Sequence, residues 1–168
     1  TFDGTLGPEG TLTGDMIVEQ QFGTLAGSNL FHSFLDLSVE AGESLHFEAD
    51  ASLVARIIGR VTGFEATLLD GPVSADADLY VINPNGVIFG AGASFDPSVV
   101  IEFEAADTLF FDDGSVFRVR DVDAASHLSI AHPDSFGFVS IATDDTLAPA
   151  EDLLVEEDGA AFIDSSFG

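Results

Sequence analysis

Short apolar runs separated by polar turn residues recur along most of the chain. They are "SLHFEA" (44–49), "LYVI" (79–82), "GVIF" (86–89), "VVIEFEA" (99–105), "TLFF" (108–111), "SVFRVR" (115–120), "HLSIA" (127–131) and "FGFVSIA" (136–142). Several alternate, as where Leu45 and Phe47 interleave with His46 and Glu48, and Phe117 with Arg118, Val119 and Arg120. Asp-Gly at 3–4, 70–71, 113–114 and 158–159, and Asn-Gly at 85–86, supply residues that accept the positive φ of sharp turns. Period-two patterning punctuated roughly every eight to twelve residues predicts an all-β fold. One segment competes. In "ASLVARIIGRV", Leu53, Val54, Ile57, Ile58 and Val61 also fall at helical spacing, but Gly59 and the β-branched pair Ile57-Ile58 favour a strand.

The pattern does not choose among all-β architectures. Strict internal repeats are absent, so a sandwich and a parallel β-helix both stay open. Sixteen phenylalanines, with Val, Ile and Leu, suit the layered interior of stacked coils. At 168 residues the chain is long enough to bury one core and too short for two.

Charge narrows the function. Thirty carboxylates stand against four arginines, with no lysine, for a formal charge of −26. A polyanion would be repelled, so nucleic acid and anionic membrane surfaces are excluded as partners. The acids are scattered, which favours solubility in a salty medium over divalent-cation binding or attraction to a basic partner. Cysteine is absent, so there is no disulfide framework and no thiolate metal site. In an exported protein this composition suits passage through a pore unfolded. No 18-residue apolar run is present to span a bilayer as a helix. A removed targeting segment stays open, since the sequence opens on "TFDGTLG" rather than on Met.

Candidate chemistry is sparse. His32, His46, His127 and His132 are far apart and lack the spacing of a zinc site; His127 and His132 would fall on opposite faces of a strand. Asp112-Asp113, Asp144-Asp145 and Glu156-Glu157-Asp158 read as solvated loop tips, and no complete calcium-loop ladder occurs. Neither a catalytic constellation nor a metal site is expected, no cofactor is called for, and weak calcium binding is the one ligand expectation. Arg118 and Arg120 share a strand face and could oppose acids, as a carbohydrate-active β-helix would require, or serve as salt partners. By elimination the uncharged corner Asn83-Pro84-Asn85-Gly86 stands out, with Pro84 fixing φ, Gly86 free to turn and both asparagines able to bond the turn backbone. A well-made exposed corner accounts for those residues as they stand.

Taken together, "DGTLG" (3–7), "GSNLFHSFLDLSVEAGESLHF" (27–47), "ARIIGRVTG" (55–63), "LLDGPV" (68–73), "ADLYVINPNGVIFGAGASFD" (77–96), "ADTLFFDDGSVF" (106–117) and "LSIAHPDSFGFV" (128–139) resemble one family, in its order. It is the N-terminal secretion (haemagglutination-activity) domain of two-partner secretion exoproteins, filamentous haemagglutinin-like. "NLFHSF" and "NPNGVIFG" are the specific motifs. The resemblance is clearest over 3–142 of a single domain, 1–168. It leaves 143–168 as either the start of an exoprotein shaft or the end of the fragment.

The resemblance implies a right-handed, single-stranded parallel β-helix with an N-terminal cap and short extra-helical strands. It implies a non-enzymatic, monomeric secretion domain recognised in the periplasm of a Gram-negative bacterium by the POTRA domains of a dedicated outer-membrane β-barrel transporter, folding outside the cell as a secreted or surface protein. Asn83, Pro84, Asn85 and Gly86 would then belong to the secretion motif, and Asn29, Leu30, Phe31, His32, Ser33 and Phe34 to a second family signature. The alternative is an acidic surface adhesin that binds glycan or calcium directly. Calorimetry separates the two, because saturable micromolar binding of either ligand would favour the adhesin.

Overall fold

The computed structural model describes residues 1–120 and 128–138. The chain advances in turns that add strands to the same ladders. The first turn supplies β1 (Asp15–Val18), the antiparallel edge strand β2 (Thr24–Ala26) and β3 (Asn29–Phe34). The second supplies β4 (Ser44–Phe47), β5 (Arg56–Val61) and β6 (Thr67–Leu69), and the third β7 (Pro72–Ala75), β8 (Asp78–Ile82) and β9 (Val87–Phe89). A fourth begins with β10 (Ser94–Phe95) and β11 (Ile101–Glu104). One ladder runs β1-β4-β7-β10, a second β3-β5-β8-β11, and β6 pairs β9; all of these pairings are parallel. Val39 extends the third ladder by a parallel bridge to Leu69. The all-β expectation holds, with parallel sheets of the kind a β-helix requires.

Register explains the packing. Leu30, Ile57, Leu79 and Ile101 occupy one row across the central ladder, and His32, Gly59, Val81 and Phe103 another. With Met16, Val18, Leu45, Phe47 and Val73 of the facing ladder they form the first core. Large residues meet small ones along the rows. A Cβ on Gly59, in register with His32, would lie 3.3 Å from both the Phe34 ring and Val81.

The other face of the central ladder is covered as well. A three-stranded antiparallel sheet of β12 (Thr108–Phe111), β13 (Val116–Arg118) and β14 (Pro133–Gly137) supplies Leu109, Phe111 and Phe117 to a second core with Phe31, Ile58 and Tyr80. Phe31 meets Phe117 edge-on at 5.0 Å. All six residues of β3 are therefore buried. A strand covered on both faces has no polar side to alternate with, which is why "NLFHSF" lacks period-two patterning.

Two sequence expectations are corrected. "HLSIA" is not a strand: His127 lies outside the described residues, and 128–131 have no ladder partner. The strand read at 136–142 lies earlier, at Pro133–Gly137, with 139–142 outside the described residues. The contested "ASLVARIIGRV" resolves into a turn and a strand. Asp50 accepts the amides of Leu53 and Val54 at its carbonyl and Ser52 at its carboxylate, and the chain then extends as β5.

Candidate functional site

The Asn83–Gly86 corner follows β8 and lies against the preceding corner, 63–67. Asn83 is fully buried, not exposed as its composition suggests, while Pro84, Asn85 and Gly86 are half-buried. The Asn83 side-chain amide donates to the Glu65 carbonyl and to the Thr67 hydroxyl, each at 3.0 Å. Its side-chain oxygen accepts the backbone N–H and the side-chain amide of Asn85, also at 3.0 Å. The Asn85 amide reaches the Gly63 carbonyl at 2.8 Å. Backbone bonds complete the clasp, from Gly86 to the Asn83 carbonyl (3.1 Å) and from Thr67 to the Gly86 carbonyl (3.0 Å). Gly86 takes φ +106°, a region side-chain-bearing residues rarely enter. The two side-chain amides thus satisfy part-buried carbonyls of the neighbouring corner that no ladder pairs.

The second signature lies on the same wall, separated from β8 by β5. Structure divides its residues by face. Leu30, His32 and Phe34 point into the interior and Phe31 into the second core. Asn29 ties β3 to the segment before β14, donating to the carbonyls of Ser129 (2.9 Å) and Ala131 (2.7 Å) and accepting from Arg56 at 3.1 Å. His32 is fully buried among Phe2, Phe34 and Phe47. Burial pushes its pKa down from 6.5 to about 4, offset only in part by the Phe22 backbone. Neither ring nitrogen makes a hydrogen bond of good geometry. It is a neutral core histidine.

A polar hub escaped the sequence reading. Arg60 of β5 is fully buried and donates to the Ser33 hydroxyl (2.9 Å), the Arg118 carbonyl (2.7 Å) and the Thr5 hydroxyl (3.2 Å), with its guanidinium 4.9 Å from the Phe117 ring centroid. Asp3 accepts from Ser33 (2.6 Å), Thr62 (2.8 Å) and both the amide (2.9 Å) and hydroxyl (2.8 Å) of Thr5. Burial works against the Asp3 carboxylate, yet these bonds hold its pKa below the usual range. The hub fastens the N-terminal segment across β3, β5 and β13. The available signal was a base inside the apolar run "RIIGRV".

Other candidates do not converge. His46 bonds Ser74 at 2.8 Å and stands 3.4 Å from Asp76, while His132 bonds the Pro133 carbonyl. Among the described residues, no group of three His, Cys, Asp or Glu is placed to hold a metal ion. Asp113 caps its own turn at Ser115 and holds Ser129. No helix among them is long and apolar enough to cross a membrane.

Stacked parallel ladders, a fastened N-terminal segment and a clasped asparagine corner are what the described residues bring together. The family model for the TPS secretion domain matches residues 1–148, and the chain belongs to that family. It is the secretion domain of a two-partner exoprotein, exported through the periplasm of a Gram-negative bacterium by a cognate outer-membrane transporter. No curated protein and no solved structure matches the chain.

Two outcomes follow from this geometry. Asn83→Ala strands a buried hydroxyl and a carbonyl and should cost about 2–4 kcal/mol in denaturant unfolding, against about 1 kcal/mol for half-buried Asn85→Ala. His32 binds a proton more readily when unfolded, so stability is fully present above pH 6.5 and falls as pH drops toward about 4. That interval is worth on the order of 3 kcal/mol. Unfolding of His32→Leu should lose this slope; an unchanged slope would assign the acid sensitivity elsewhere.

Proposed function

We propose that the domain is recognised by the periplasmic POTRA domains of its transporter through the extended segment 79–86, and that it folds outside the cell as a right-handed parallel β-helix. One observation carries this reading. Both side-chain amides of the secretion motif are spent inside the folded corner, on the carbonyls of Gly63 and Glu65 and the Thr67 hydroxyl. A receptor reaches these groups only while the corner is open. The preceding "LYVI" is then a free strand, suited to adding to a sheet edge by backbone bonds. On folding, β8 exchanges that pairing for β5 and β11 on either side. The motif then serves first as an address and afterwards as a fastener. A recognition element without ionisable groups also keeps its strength in saline media, where charge pairs are screened.

The test is export of this domain behind a signal peptide, with and without its cognate transporter. Wild type should appear outside only with the transporter. Asn83→Ala/Asn85→Ala should lose most of that export, whereas Thr67→Val, which breaks the same clasp but leaves the motif intact, should export normally. Equal losses in both variants would reduce the motif to a structural corner. Release of wild type without a transporter would overturn the secretion reading.

A further inference from the structure

Phe64 sits at the tip of the corner between the two carbonyls that the motif holds. It is 82% exposed, in a chain whose other phenylalanines mostly fill the two cores. Its backbone is nonetheless fixed. The Gly63 carbonyl accepts from Asn85 at 2.8 Å and the Glu65 carbonyl from Asn83 at 3.0 Å. The Gly63 amide donates to the Leu35 carbonyl at 3.0 Å, and a Cβ on Gly63 would lie 2.1 Å from that oxygen. The corner can therefore neither retract nor pack more loosely, and it holds the ring out in water.

Leu35, 51% exposed, lies with Phe64 along a groove of about 490 Å³. Asp36, Glu40 and Glu65 complete the rim and are exposed. One base already uses this surface: the Arg120 guanidinium lies 5.9 Å from the Phe64 ring centroid. An aromatic ring held rigid before binding loses little entropy when a partner covers it, the property that makes such residues anchors of interfaces. Carboxylates around an aromatic face select a cation, which the ring itself attracts.

The geometry points to a docking site on the folded domain, with Phe64 and Leu35 as anchors, for a protein segment that places apolar side chains next to Arg or Lys. The occupant is basic because Asp36, Glu40 and Glu65 outnumber Arg120 at this surface and the whole chain carries −26. The surface exists only after the corner has closed, so this site is separate from recognition of the extended motif. The asparagines would then have a further consequence in the folded state, since they fix the backbone on either side of the anchor.

The experiment is an NMR titration of the full chain with a blocked Leu-Arg-Leu-Lys-Leu-Arg peptide, and with its counterpart carrying Glu at every basic position. The basic peptide should shift the amide signals of Leu35, Gly63, Phe64 and Glu65 saturably, and the acidic peptide should not. Phe64→Ser should weaken binding about ten-fold, as for loss of an interface anchor, while other signals stay in place. Glu40→Lys/Glu65→Lys provides an independent arm, in which affinity should fall although Phe64 is intact. Absence of saturable shifts at the groove would overturn the site. So would equal binding by Phe64→Ser, or shifts spread evenly over the acidic surface.

Discussion

The central parallel ladder is covered on both faces, by the interior on one side and by the β12-β13-β14 sheet on the other. A sheet so enclosed has no solvent to satisfy stray polar groups, and each one left unpaired costs on the order of 1–3 kcal/mol. Backbone groups within the ladders satisfy one another. The difficulty lies at the corners, where the chain leaves one wall for the next and its carbonyls turn inward. Asn83 and Asn85 answer it at one corner, Asn29 where β3 meets the segment before β14, and Arg60 with Asp3 at the N-terminal end. Asn83, Asn85 and Asn29 are polar residues that a doubly buried parallel sheet needs in order to turn.

This division of labour bears on secretion. Groups that must be paired in the folded domain are unpaired while the chain is extended. In the recognition we propose, the same asparagines serve two partners in succession, a receptor strand and a neighbouring corner, without meeting both at once. Many of the carboxylates lie on the outside, where solvent and salt weaken them, whereas the buried base Arg60 donates to two hydroxyls and a carbonyl.

Much of this was legible in the residues. β8, β9, β11 and β12 announced themselves as β-branched and aromatic runs between turn residues, and the Asn-Pro-Asn-Gly corner falls where its composition places it. β1, "DMIV", and β7, "PVSA", were not legible, since four mixed residues become a strand only when a neighbouring turn supplies the partner. "HLSIA" failed in the opposite sense: the propensity was present and the ladder was not. The burial of Asn83 and His32 was also hidden, because a polar residue inside an apolar stretch reads the same on a covered face as on an open one. Only the packing separates the two: the register sets His32 in the row of Gly59 and Val81, and Gly23 leaves room for its ring, which a Cβ there would approach to 2.8 Å.

Hydrogen exchange at the corner tests the central claim most directly. The amides of Thr67, Asn83 and Gly86 close the clasp, donating to Gly86, Glu104 and Asn83 respectively. If the motif fastens the folded domain, these amides should be protected nearly as well as that of Ile58 in the middle of the central ladder. Exchange as fast as at an open turn such as Gly42 would mean that the corner opens freely in the folded state, and the asparagines would then not be the fasteners described.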